Sequence, residues 1–309
     1  MRNELKELID NSIIVKYKLP FNFLDKKGKL ISSGRSNLST PNRDEYCFEG
    51  KDGEIAKIIY NGIVEFAENE FNIDYQCLNK EQTKTIKLKL RYESSDSSKT
   101  KLQYGFYGEV LLDLLLRNFF HTDVLISRGY FYSPLEKSEP KGFDAFHLID
   151  RNGELELWFG EAKFHRSFTS GIKSVLSKMN GSLSNEYLNS HLLAIIKERS
   201  NISHSHAILN EVIDKWNEDP DIVLVEELQN YNIELVYPIF IAYQKQSTYS
   251  YEETISSCVL KINQELQNVQ FSTNLTIKVS IFIMLLPVDD SNKLKEEVLE
   301  WIENKVPLI

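Results

Sequence analysis

The sequence predicts an α/β fold built on a mixed, α+β-type sheet with helices on both faces. Three observations carry that expectation. Residues 233–243, IELVYPIFIAY, are a continuous apolar run of the kind that fills a strand covered on both sides. Residues 104–120, YGFYGEVLLDLLLRNFF, read as a helix apolar on most of its surface, and therefore buried. From 104 onward the pattern is helix, three strands, helix, strand, and such alternation calls for a sheet with helices on each face.

Taken in order, residues 11–33 read as a hairpin, IIVKYKLPFNFL and KLISS joined by Asp25-Lys26-Lys27-Gly28. Residues 34–50 are polar and loop-like. Residues 53–70 carry Ile55, Ile58, Ile59, Ile63 and Phe66 at helical spacing. Residues 84–92, KTIKLKLRY, alternate: Lys87, Lys89 and Arg91 on one face, Leu88 and Leu90 on the other, which is the pattern of a half-buried strand with a solvated basic face. The Ser-rich stretch 93–101 lacks an apolar anchor and marks a linker. It divides the chain into residues 1–95, an N-terminal α+β region, and residues 96–309.

In the second part, the helix over 104–120 has its polar residues Glu109, Asp113 and Arg117 four apart, in one narrow stripe facing solvent. Strands follow at 123–132, 142–149 and 154–164, the last two joined by an Asp-Arg-Asn-Gly turn. One or two helices cover 168–198, another 204–216. After the strand at 233–243 come a helix at 251–269, a strand at 276–286 and an acidic helix at 290–304.

At 309 residues, 42% hydrophobic and 26% charged, the chain can bury a sizeable core. Its net charge of −9 opposes binding nucleic acid by bulk electrostatics, so such contact needs a local basic surface or a partner that grips. Cys47, Cys77 and Cys258 lie far apart without CxxC spacing, against a disulfide framework or a thiolate zinc site. The longest apolar run, residues 281–286, is far short of the ~20 residues a membrane helix needs, and the N-terminus carries acidic residues where a signal peptide would be basic. The expectation is a soluble cytoplasmic protein with no membrane partner.

The chemistry concentrates in KGFDAFHLIDRNGELELWFGEAKF, residues 141–164. Asp144 stands on one strand of the hairpin; Glu161 and Lys163 end the other. Glu161 and Lys163 share the parity of Leu155, Leu157 and Phe159, so one strand face turns from apolar to charged at its carboxyl end. In antiparallel pairing Asp144 falls opposite residue 159 or 161, near enough to share a metal. Carboxylate oxygens are what Mg2+ takes as ligands, and a neighbouring lysine can orient water or offset phosphate charge. Glu-x-Lys alone says little: it occurs five times, at Glu4, Glu49, Glu139, Glu161 and Glu303, and only at Glu161 does it end an apolar strand beside an Asp-bearing one. The plain alternative is a surface ion pair at the end of an edge strand.

The segments YGEVLLDLLL, KGFDAFHLI and LELWFGEAKFH resemble the HamA effector subunits of bacterial Hachiman anti-phage defence systems and, more broadly, the PD-(D/E)xK nuclease superfamily. The resemblance covers residues 100–200 well and the rest more loosely. It implies a restriction-endonuclease-like αβββαβ core in residues 96–309 and an N-terminal extension available for docking. It also implies a Mg2+- or Mn2+-dependent deoxyribonuclease controlled by a HamB-like superfamily-two helicase. By position in the motif, Asp144 and Glu161 would be metal ligands and Lys163 the catalytic lysine. Phe143 stands where many members have proline.

Other residues are open to two readings. The superfamily often sets a helix glutamate near the metal, which would make Glu109 a third ligand; otherwise Glu109 belongs to a solvent stripe. Arg166, Lys173 and Lys178, following the motif strand, are placed to touch phosphates or simply to be solvated. His147 and His165 flank the site and are more simply packed or solvated, and His204-Ser205-His206 lacks a third metal ligand. A non-catalytic subunit binding nucleic acid or a helicase, or an RNase with the same site, are the alternatives in function.

Overall fold

The structure is a computed structural model that describes residues 1–19, 38–39, 45–133, 142–151, 154–198, 200, 207–219, 221, 223–246, 248–266 and 277–309. The N-terminal elements are α1 (Asn3–Ser12), β1 (Ile13–Leu19), β2 (Leu38–Ser39), β3 (Glu45–Gly50), α2 (Asp52–Ala67), α3 (Leu78–Leu88) and the single turn α4 (Ser98–Lys101). Next come α5 (Phe106–Phe119), β4 (Asp123–Val124), β5 (Ala145–Arg151), β6 (Glu154–His165), α6 (Phe168–Ser182) and α7 (Asn185–Lys197). The chain closes with α8 (Ala207–Glu218), α9 (Leu224–Asn230), β7 (Glu234–Gln244), α10 (Tyr251–Leu266), β8 (Val279–Val288) and α11 (Ser291–Asn304).

The two most apolar strands lie side by side in the middle of one mixed sheet. Its order is β1-β3-β8-β7-β6-β5-β4, with β2 also paired to β8. The β3–β8, β8–β7 and β7–β6 pairs are parallel; β1–β3, β6–β5 and β5–β4 are antiparallel. Each sheet face carries its own core. One joins Leu155, Leu157 and Phe159 of β6 to Ile172, Val175 and Met179 of α6 and to Leu188 of α7. The other joins Trp158 and Ala162 of β6 to α2, α5 and α11 through Ile63, Leu111 and Val298. Each such fully buried side chain stabilises by about 1.5–3 kcal/mol.

The expected mixed sheet with helices on both faces is present, and so are the hairpin of β5 and β6 and the elements at 53–70, 104–120, 233–243, 251–269, 276–286 and 290–304, with small shifts of boundary. The segment 168–198 forms two helices, divided where Ser184 caps α7 by accepting from Tyr187 N–H at 3.2 Å. Residues on both sides of position 96 share one sheet and one core, because β3 pairs with β8 and α2 packs against α5 and α11.

Several elements differ from expectation for physical reasons. β1 pairs with β3, from Ile13–Gly50 to Leu19–Glu45, so part of the supposed loop 34–50 is a strand. Its Cys47 and Phe48 are buried between polar ends that mask any alternation. The turn Asp25–Gly28 and the run 29–33 fall outside the described residues, as do His204-Ser205-His206. The supposed strand over 84–92 is instead the end of α3, through Leu88, and the turn that follows it. That helix buries Glu81, Gln82 and Thr85, with Gln82 Nε2 donating to the Tyr60 carbonyl at 3.1 Å, so no apolar period announces it. Lys89, placed on a solvated face, instead pairs with Glu68 at 3.1 Å and lies over the Tyr130 ring. The strand expected over 123–132 shrinks to β4, followed by one 3-10 turn at Arg128–Phe131. No described helix is long and apolar enough to cross a membrane.

The stripe on α5 is covered at Asp113 rather than solvated, with Glu109 and Arg117 partly buried on either side. Asp113 Oδ1 lies 2.9 Å from His147 Nε2, and its Oδ2 lies 3.3 Å from Arg117 Nη1. Thr122 Oγ1 meets His147 Nδ1 at 2.7 Å. Burial would raise the Asp113 carboxyl, but Arg117 and His147 outweigh it and hold it below its usual value.

The close approach of α2 to α5 depends on Gly62, where a Cβ would run into Leu114 Cδ1 and lie 3.2 Å from Val110 Cγ1. Gly62→Ala is expected to overpack this contact and destabilise the fold by about 1–3 kcal/mol. Denaturant melts check this, and an unchanged midpoint would contradict the packing described.

Candidate active site

β5 ends before β6 does. Their last ladder pair is Ala145 with Gly160, and Asp144 N–H then donates to the Gly160 carbonyl at 2.7 Å. Among the described residues, β6 continues to His165 with β7 alone beside it. Backbone groups alternate sides along a strand, and Gly160 faces β5, so the N–H and C=O of Ala162 and Phe164 face the edge where β5 has stopped. Buried backbone groups need partners, and side chains supply them here. Asp144 Oδ2 accepts from Ala162 N–H at 2.8 Å, and Lys163 Nζ donates to the Ala162 carbonyl at 2.8 Å.

These contacts gather the expected trio. The ladder itself stops at Ala145–Gly160, and Asp144 turns onto Gly160 with its carboxylate reaching Ala162 N–H. Lys163 Nζ also donates to Glu161 Oε1 and stands 3.9 Å from Asp144 Oδ2. Lys178, on α6, brings its ammonium to 3.7 Å from Glu161 Oε1. Asp144 Oδ1 and Glu161 Oε2 have no hydrogen-bond or ion-pair partner among the described residues.

Local packing explains how the backbone delivers this set. Phe143 is buried and meets Phe159 at 5.4 Å and Tyr187 at 5.3 Å between ring centroids, so an aromatic anchor fixes the residue before Asp144. Gly160 lies against Pro238 of β7: a Cβ there would fall 2.7 Å from Pro238 Cγ. Gly108 of α5 packs directly on the end of β6, its missing Cβ only 3.5 Å from Ala162 Cβ.

The electrostatics are lopsided. Burial, then repulsion from Asp144, raises the Glu161 carboxyl above its ordinary value, against the pull of Lys163 and Lys178. Burial would depress the Lys163 ammonium, but Asp144 and Glu161 outweigh it and raise its pKa. A divalent cation between the carboxylates would relieve their repulsion and use both free oxygens, so the donor set fits Mg2+ or Mn2+. It is a lean set: among the described residues, no three His, Cys, Asp or Glu side chains are grouped to hold a metal.

The remaining expected residues are more scattered. Glu109 sits half-buried on the first turn of α5 with Oε1 against Gly105, and its charge helps to raise Lys163. Lys173 lies 3.7 Å from Glu265 of α10 rather than near Glu161, and Arg166 lines a cleft between the start of α6 and α10. His147 faces the opposite side of the sheet, within the Asp113 network. His165 ends β6 half-buried, its pKa lowered by burial and then by Lys163 and Lys295. Two residues were not anticipated. Tyr187 of α7 is close enough that, after burial, the Glu161 charge is what most raises its hydroxyl pKa. Lys295 of α11 donates to the Phe164 carbonyl at 3.0 Å. Its signal was present in the sequence: with Val298, Leu299 and Ile302 it completes an i, i+3, i+4, i+7 apolar face on which a lysine is out of place.

A family model described as HamA matches residues 22–302, from before β2 to nearly the end of α11. The chain belongs to the HamA family. Neither a curated protein nor a solved structure is detectably similar to it. Membership in the HamA family points to a component of a Hachiman defence system. The matched span contains the whole β5–β6 hairpin and every residue of the site.

The raised Glu161 carboxyl sets a stability test. Its folded pKa lies above the unfolded one, so above that value its charge costs the folded chain more than the unfolded chain. In chelator at neutral pH, Glu161→Gln is therefore expected to melt higher than the parent, and the difference should fade as pH falls and Glu161 takes up its proton. Added Mn2+ should raise the parent's midpoint and leave the variant's in place. A variant melting lower at neutral pH would contradict this arrangement.

Proposed function

We propose that this HamA-family chain is a Mg2+- or Mn2+-dependent nuclease, the DNA-cleaving component of a Hachiman defence system. The observation that carries the reading is a pair of oxygens, Asp144 Oδ1 and Glu161 Oε2, without a partner among the described residues, on two carboxylates bridged by one lysine at the end of a strand. A carboxylate as buried as Glu161, set against a second carboxylate that raises its pKa, is not what an ordinary surface ion pair presents. The succession α5, β4, β5, β6, α6, β7 supports a restriction-endonuclease-like αβββαβ core, with α7, α8 and α9 inserted ahead of its last strand.

Asp144 and Glu161 would hold the cation. Bound there, it would offset the charge of the scissile phosphate and favour a deprotonated attacking water. Lys163 has a narrower role than its motif suggests. Held between two carboxylates as an ammonium, it would donate to the phosphate or to the water and orient either. Lys178, exposed on α6 beside Glu161, adds a second positive charge on the side from which a phosphodiester can approach. Glu109, behind Lys163, reinforces that lysine's protonation.

An overall charge of −9 opposes DNA binding by the chain alone. A HamB-like superfamily-two helicase supplies the grip in this reading, with residues 1–95 as its docking surface. Cleavage would then follow the helicase's engagement of DNA.

Cleavage of DNA and of RNA of the same sequence, by the chain purified with its partner in Mg2+, tests the proposal. Asp144→Ala and Lys163→Ala are each expected to lower the rate by roughly 10²–10⁴-fold. Equal cleavage by parent and both variants would refute the assignment. Preferential cleavage of RNA would replace DNA as the substrate.

A further inference from the structure

Behind the site lies a second lysine that the mechanism above does not use. Lys295 points from α11 into the core formed with α5 and β6, and is only 6% exposed. Its Nζ donates to the Phe164 carbonyl at 3.0 Å and to the Leu102 carbonyl at 3.2 Å. The same nitrogen lies 4.6 Å from the centroid of the Phe164 ring and 5.3 Å from that of Tyr107. No carboxylate is among its partners in the described residues, and burial lowers its pKa to about 8. The titratable groups facing it are Tyr107 from α5 and His165 from β6, while Lys101, ahead of α5, is paired with Glu303 at 2.6 Å.

For folding alone this is a poor choice. A buried ammonium without a counter-ion is costly, and its place on an apolar helix face would suit methionine or leucine. What it accomplishes is local. At the free edge of β6, Asp144 takes the Ala162 N–H and Lys163 the Ala162 carbonyl, which leaves the Phe164 carbonyl to Lys295. The Leu102 contact ties the same ammonium to the segment that leads into α5.

We infer that Lys295 is a positioning residue: by closing the Phe164 carbonyl and binding the end of β6 to the approach of α5, it fixes the strand end that carries Glu161 and Lys163. As a role in catalysis this rests on the nuclease reading; as a constraint on β6 it does not. The carbonyls of Ala162 and Phe164 are held by different lysines on different elements, so loss of one should loosen the strand end without undoing the sheet.

The test uses the full chain with its partner and the variants Lys295→Met, which keeps length and loses charge, and Lys295→Arg, which keeps charge and donors. Lys295→Met is expected to melt at or above the parent at pH 7. That advantage should shrink as pH rises above 8, where the folded parent sheds a proton that the unfolded chain retains, and so gains stability. Its kcat for DNA should fall at least tenfold with KM little changed, and Lys295→Arg should recover part of the loss. Amide exchange at residues 162–165 should be faster in Lys295→Met than in the parent. A Lys295→Met protein that cleaves and exchanges like the parent overturns the inference, even while Lys163→Ala is inactive and the nuclease reading stands. If neither the parent nor Lys163→Ala cleaves, the nuclease reading fails, and exchange at 162–165 alone decides for or against Lys295. Should Lys295→Met not fold, Lys295→Leu, which likewise lacks both charge and donor, is read in the same way.

Discussion

The structure around the site depends on one mismatch of length: β6 runs past the end of β5. A strand edge without a neighbour presents backbone groups that must be hydrogen-bonded by something. In this chain the closing groups are the side chains of the candidate site. Asp144 replaces a strand carbonyl for Ala162 N–H, and Lys163 and Lys295 replace strand amides for the carbonyls of Ala162 and Phe164. Those bonds hold each group at a fixed distance from the others, while Asp144 and Glu161 each keep one oxygen uncommitted. Fold and site are thus joined at the same few atoms.

A comparison across the sheet sharpens the point. On the α5 face, Asp113, Arg117, His147 and Thr122 also form a buried polar group, but there each partner is met and the Asp113 carboxyl is held low. On the α6 face, Glu161 is pushed up by burial and by Asp144, and Lys163 is raised between them. The first arrangement is satisfied as it stands, as a structural network should be. The second retains repulsion that a divalent cation would relieve, which is the condition expected of a site that waits for a ligand.

Much of this was legible in the sequence. The apolar run of β7, the all-round apolar α5 and the alternation in β6 announced the sheet and its two covered faces, because each of those segments owes its structure to its own period. Strand parity also placed Glu161 and Lys163 on one face with Leu155, Leu157 and Phe159, and Asp144 beside them. What escaped the sequence depended on partners distant in the chain. β3 is a strand because β1 and β8 flank it. α3 packs through Glu81, Gln82 and Thr85, so it carries no apolar stripe. The α5 stripe is polar but covered, since His147 and Thr122 arrive from elsewhere to satisfy it. Lys295 was visible as a lysine on an apolar face, yet nothing in the sequence said that the Phe164 carbonyl would need it.

The central claim is that the side chains of the site stand in for a missing strand, and amide hydrogen exchange reads this most directly. In the parent, Ala162 N–H should be protected although no described strand lies opposite it, because Asp144 accepts from it. In Asp144→Ala that protection should be lost at Ala162 while amides deeper in the ladder, such as Trp158, keep theirs. An Ala162 amide that exchanges freely in the parent, or that stays protected without the Asp144 carboxylate, would contradict the account.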